Sequence, residues 1–240
     1  MPDASSNKQP PAGDDRNLVI VDDDFVNADA EDRLWLFWER NKQNIVRGTT
    51  AVVIGILGFL AYYFWNEDRK EKIGEEYTAC QDEAARKAFA KKHEGEPLAA
   101  VAYAEVGDDL KKANKLADAA KAYNEATRLA ALAGKSPALQ ALGARTRLYA
   151  ALARQEAGEA GAEDAIAAVA NDASAPETLR GFAMLTLANI AVAKNDPVKA
   201  RKSLDDMDKK LRADHVWRQD KDSLVQSEPS LIAPVAPAKK

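Results

Sequence analysis

The sequence predicts an all-α protein: one transmembrane helix followed by a solenoid of antiparallel helix pairs. Three observations carry this. Residues 48–65 (GTTAVVIGILGFLAYYFW) contain no charged side chain. The chain beyond them is dominated by Ala, Leu, Glu and Lys, with no sustained alternation of β-branched residues. In that same region, small and aromatic residues recur together at helical spacing. Helix formers without period-two patterning argue against a sheet.

Residues 1–30 are rich in Pro, Ser, Asn, Gly and Asp. Such a segment buries too little apolar surface to offset its ordering entropy, so a disordered acidic tail is expected. Within it, LVIV at 18–21 runs into Asp22, Asp23, Asp24 and Phe25, either a short acidic–hydrophobic docking motif or plain solvated tail. Over 31–47, Leu34, Trp35, Trp38 and Ile45 recur at helical spacing with Arg33, Arg40 and Lys42 opposite. That pattern predicts an amphipathic juxtamembrane helix.

Residues 48–65, with Ile45 and Val46 before them, are just long enough to cross the roughly 30 Å of bilayer hydrocarbon as a helix. Trp35 and Trp38 on one side and Tyr62, Tyr63 and Trp65 on the other suit the headgroup level. A cleaved signal fits poorly, since cutting after Ala61 places Phe59 at −3, where a small residue belongs. Arg33, Arg40, Lys42 and Arg47 precede the span, and Arg69, Lys70 and Lys72 follow it. The slight basic excess before the span places the N-terminus in the cytoplasm and the larger portion outside it.

Residues 66–95 are expected to prolong the span as one stalk helix, with Ile73, Tyr77, Cys80, Ala84 and Ala88 along its apolar face and Gly95 and Pro97 ending it. Helix pairs succeed it over 97–213. In the clearest, Tyr103, Val106, Gly107 and Leu110 precede Ala119, Tyr123 and Ala126, the pattern of a tetratricopeptide repeat. Small residues there let two helices approach closely while large ones fill the space between pairs. Weaker copies run Tyr149, Leu152, Ala153 then Ala165, Val169, and Met184, Leu187, Ala188 then Ala200, Leu204. Ala165 and Ala200 are 35 apart, but Ala119 and Ala165 are 46 apart, which implies an insertion around Gly134–Pro137. Counting back 34 from Ala119 gives Ala85, with Phe89 four on, so a leading half-repeat is expected. Residues 214–240 read as a flexible C-terminal tail.

Acidic head, single span and repeat domain together resemble the YfgM-like bacterial family, over roughly residues 31–213. RLWLFWERNKQNIVRG before the span and the Ala-rich pairs after Pro97 carry the similarity. The resemblance implies an inner-membrane protein with its domain in the periplasm, associated with the SecYEG translocon and a PpiD-type periplasmic chaperone. The long connection near Lys135 and the Pro-rich C-terminus depart from that pattern.

The sequence offers little chemistry. The first 65 residues hold six Lys or Arg and ten Asp or Glu of the chain's 34 and 38, leaving 28 of each beyond, so that portion is neutral. Nucleic-acid binding needs a basic excess and is not expected. Cys80, the single cysteine, forms no intrachain disulfide. His93 and His215 read as solvated groups at helix ends, and no HExxH, CxxC, phosphate loop or GxSxG occurs. The chain is therefore not expected to be an enzyme, to hold a cofactor or metal, or to take a small-molecule substrate.

A tetratricopeptide array offers instead a concave surface lined by first helices, suited to a polypeptide segment. The signature places Asp108, Lys111, Arg147, Arg154, Phe182, Leu185 and Asn189 toward it. Ala104 and Asp108 stand where a carboxylate clamp needs Lys and Asn, so a C-terminal carboxylate is not the expected ligand. Two functions fit: a membrane-tethered adaptor or cochaperone that binds translocon subunits, a periplasmic chaperone or a substrate polypeptide, and a structural, self-associating anchor or envelope scaffold with no peptide groove.

Overall fold

The computed structural model describes residues 30–232 of the 240-residue chain, and the chain divides into two compact units at Glu67–Asp68. The tail expected at 1–30 falls, except for Ala30, outside the described residues, as does the stretch at 18–25. All described elements are helical and no strand occurs among them. The sequence's fold class is thus the observed one: a long apolar helix followed by sequentially packed antiparallel helices.

In the first unit, the segment 31–47 and the apolar run that follows it are one helix, α1 (Ala30–Thr78). No break separates 31–47 from the apolar run at 48–65, because no proline intervenes and a single helical Gly such as Gly48 costs only about 1 kcal/mol. The one-sided amphipathic pattern is also diluted. Leu34, Trp35, Leu36, Phe37 and Trp38 are consecutive and all exposed, so apolar surface wraps the helix there.

In the second unit, the end of α1 belongs to the packed domain through Ile73, which is buried. The unbroken stalk expected over 66–95 does not occur: α1 stops at Thr78 and α2 (Glu83–Lys92) starts anew. Asp82 supplies the restart, its side chain accepting the Ala85 amide proton at 2.7 Å. The reversal lets the Phe89 ring lie 5.6 Å from Tyr77. Ala84 and Ala88, expected on the apolar stripe, are exposed, and Phe89 and Ala90 are buried instead.

Three pairs complete the domain's repeats: α3 (Pro97–Lys112) with α4 (Leu116–Ala133), α5 (Pro137–Glu156) with α6 (Ala162–Asn171), and α7 (Glu177–Ala193) with α8 (Pro197–Lys210). Each first helix ends the same way. A left-handed residue comes after it (Asn114 at φ 56°, Gly158 at 73°, Asn195 at 57°). The next amide then reaches back to a carbonyl in the helix's last turn: Lys115 to Leu110, Glu159 to Arg154, and Asp196 to Ala191, each at 2.9 Å. This is the Schellman closure, which satisfies carbonyls a helix end would otherwise leave free.

The insertion expected at 134–137 is absent. Only Gly134, Lys135 and Ser136 join α4 to α5, and Ser136 caps α5. The extra length lies mainly in α4, which at 18 residues outruns the 10-residue α6, and to a lesser extent in the 20-residue α5 and the turn 157–161. Ala99, Ala119, Ala126, Ala153, Ala188 and Ala200 are all fully buried at helix contacts, where their small side chains allow close approach.

Residues 214–232, expected to be flexible, are instead ordered against the last pair as α9 (Arg218–Ser227) and α10 (Pro229–Ile232). Leu231 is buried in the cluster with Leu204 and Met207, and the Trp217 indole donates to the Thr178 carbonyl at 2.7 Å. Residues 233–240 lie outside the described ones. A solenoid's last pair would otherwise expose apolar surface, and a segment such as α9, with no buried residue of its own, gives it a polar exterior.

Candidate functional site

The seven residues expected on the inner side sit on α3, α5 and α7, and the structure engages six of them within the domain. Asp108 accepts from the Tyr123 hydroxyl at 2.6 Å and from Arg145 at 3.2 Å. Lys111 pairs with Glu156 at 2.8 Å, and Arg147 with Asp172 at 2.6 Å. Arg154 pairs with Glu159 at 3.0 Å and donates to the Ala160 carbonyl. Phe182 stacks on Trp217 with centroids 5.2 Å apart, and Leu185 is 8 % exposed. Asn189 is the one left exposed without such a contact among the described residues. Ala104, the other position assigned to that surface, is buried.

Two polar–aromatic clusters join successive first helices. In one, the Tyr77 hydroxyl donates to Glu105 at 2.5 Å, while Arg86 spans Glu105 at 3.2 Å and Asp109 at 2.5 Å. This ties the end of α1 and α2 to α3. In the other, Tyr123 meets Tyr149 edge-on at 5.7 Å and the Arg145 guanidinium lies 5.1 Å over Tyr149, tying α3 and α4 to α5. Burial, and then its bond to Asp108, raise the Tyr123 pKa, so the phenol stays a donor. The Ser174 hydroxyl and Arg147 hold Asp172 down to about 2. Sequence reasoning missed Arg145 and Tyr149 as a pair, although four residues apart on a helix is the spacing at which such side chains meet.

The remaining chemical candidates are also absorbed. His93, read as solvated, has its Nε2 2.7 Å from Glu76 and its ring 4.7 Å from Phe89. His215, read the same way, is 8 % exposed, and its Nδ1 is buried without a partner among the described residues. Cys80 is half-buried, with its thiol on the Glu76 carbonyl at 3.2 Å. Among the described residues no three His, Cys, Asp or Glu side chains gather as a metal centre requires. No protein-family model matches the chain, and no curated protein or solved structure matches it significantly.

Proposed function

We propose that the protein is a single-pass inner-membrane adaptor or cochaperone of the YfgM-like kind, with its repeat domain in the periplasm beside a translocon such as SecYEG. One observation carries the membrane part. Every large apolar side chain from Val52 to Trp65 is 41 to 67 % exposed. Each would cost about 1.5 to 3 kcal/mol to hold in water, and a bilayer is the partner that covers a helix on all faces. Sequentially packed antiparallel helix pairs, an architecture that presents extended surfaces to polypeptides, support protein binding. In this reading the chain binds translocon subunits, a periplasmic chaperone or a substrate polypeptide, and takes no nucleic acid, cofactor or small-molecule substrate.

The test is in cells, with a photo-crosslinker at Asn189 of the full chain and of a chain lacking residues 1–30. Capture of a translocon or chaperone protein by both is the expected outcome. Protease added to spheroplasts should remove the chain beyond about residue 70. Protection of that portion instead would reverse the orientation.

A second reading, the self-associating structural anchor, draws support from the same contacts. Lys111, Arg147 and Arg154 are neutralised within the domain, and Phe182 and Leu185 are covered. Crosslinks confined to other copies of this chain would favour it.

A further inference from the structure

Leu34, Asn41, Gly48, Gly55 and Tyr62 follow one another along α1 at seven-residue intervals, and Phe37, Asn44, Ala51 and Gly58 form a second row three residues on. Spacing of this kind draws a single seam along a helix. Val46, Val53, Leu57, Leu60 and Phe64 fall on the opposite side, and Val52 and Phe59 flank the seam. In the packed domain, a Cβ on Gly107 or Gly181 would strike an aromatic ring, whereas Gly48, Gly55 and Gly58 have nothing within 4 Å among the described residues. A glycine inside a helix costs about 1 kcal/mol against alanine, and at those two domain positions a close neighbour offsets it.

The seam runs on past the apolar stretch. α1 is unbroken, and Leu34 precedes Ile45 by eleven residues, about 16 Å of helix. Headgroups occupy only about 5 to 8 Å outside the hydrocarbon. Leu34 and Phe37 thus lie beyond the reach of lipid, yet they are 70 and 53 % exposed in the single chain. Between them and Gly48 the seam carries two carboxamides. Asn41 donates to the Phe37 carbonyl at 2.9 Å, and its Oδ1 meets no donor among the described residues. A carboxamide both donates and accepts, so an identical one across a symmetry axis satisfies it, and an asparagine in such a seam sets register and copy number.

We propose that α1 pairs in parallel with the α1 of a second copy of this chain along the seam at 34–62. Copies of a single-pass chain inserted alike run parallel, which brings each seam residue opposite its own counterpart. Glycine against glycine lets the two backbones approach closely, and close packing with interhelical hydrogen bonds is what associates helices in lipid. Outside the hydrocarbon, Asn41 meets Asn41, and Leu34 and Phe37 are covered. An unrelated helix would have to match both the register and the amides by coincidence. The pairing rests on α1 spanning the bilayer, and it gives the self-associating reading a surface that uses none of the repeat domain.

The test uses the full chain carrying Cys80→Ser, in the membranes of the expressing cell, with one cysteine introduced at a time. Oxidation should link two copies through Gly48→Cys, Ala51→Cys, Gly55→Cys and Gly58→Cys, and far less through Val53→Cys, Leu57→Cys and Leu60→Cys. In detergent micelles, energy transfer between differently labelled copies should report the pairing. Gly55→Ile with Gly58→Ile should weaken it about tenfold or more, while Leu57→Ile with Leu60→Ile, on the far side, should leave it unchanged. Leu34→Ser with Phe37→Ser should weaken it less, with unchanged helicity by circular dichroism. Release of the chain from membranes by alkaline carbonate would overturn the span and the pairing together. With the chain retained, crosslinks that follow the Val53, Leu57 and Leu60 side, crosslinks only to another protein, or full transfer by the isoleucine variant at 55 and 58 would overturn the pairing alone.

Discussion

The first and last helix pairs use the same device with partners from different places. In α3–α4, a Cβ placed on Gly107 would lie 2.6 Å from the Tyr123 ring, and Tyr123 belongs to the second helix of the same pair. In α7–α8, a Cβ on Gly181 would collide with the Trp217 ring and crowd Leu211, and Trp217 comes from beyond the pair altogether. Both sites omit a side chain so that an aromatic ring can lie against a helix backbone. The first seam is closed by the repeat itself, the last by a segment that follows it in the chain.

The largest effect should come from forcing a side chain into each seam. Gly107→Leu should cost about 3 kcal/mol, because the buried Tyr123 ring has nowhere to go. Thermal unfolding of the whole domain should shift down. Gly181→Leu should instead displace Trp217 and act locally. Equal losses in melting temperature for the two variants would erase the distinction.

Next in size, Trp217→Ala should cost about 2 kcal/mol, less than a fully buried tryptophan because the ring is only half-buried. Hydrogen exchange should quicken over 218–232 while α3 and α4 keep their protection. Uniform loss along the domain would show that the C-terminal segment is integral rather than appended.

A smaller effect is expected from Tyr123→Phe, which keeps the ring under Gly107 but removes its bond to Asp108. About 1 kcal/mol is expected from denaturant midpoints, since Arg145 still satisfies the carboxylate. A loss as large as that of Gly107→Leu would mean the hydroxyl, not the ring packing, holds the seam.

The smallest concerns pH. The folded-state pKa of Asp172 lies near 2 against an ordinary 3.8, so its bonds to Ser174 and Arg147 stabilise fully above about 3.8. That contribution is lost as pH falls through about 2. As a surface pair it is worth no more than about 1 kcal/mol. The stability gap between wild type and Asp172→Asn should narrow as the medium is acidified below about pH 4. A gap that widens would reverse the sign.

Much of this was legible in the chain. Gly107 and Tyr123 announced their contact because the repeat pattern fixes where each falls on its helix, and Phe89, found four residues beyond the Ala85 reached by counting back 34 from Ala119, is buried as a repeat demands. The inner-side residues were less legible. A signature states which way a position faces, but it does not reveal that Arg147 will meet Asp172 or that Phe182 will lie under Trp217.

By itself the sequence determined the helical class, the long apolar helix and the clearest pair, because propensity, hydrophobic length and short-range spacing are properties of neighbouring residues. Only the tertiary structure decided that α1 ends at Thr78, that the extra residues lengthen α4 and α5, and that residues 214–232 cover the last pair. A turn at Asp82 is worth forming only once Phe89 has somewhere to bury. A weakly patterned C-terminal segment becomes ordered only because α7 and α8 leave a seam that Trp217 and Leu231 fill.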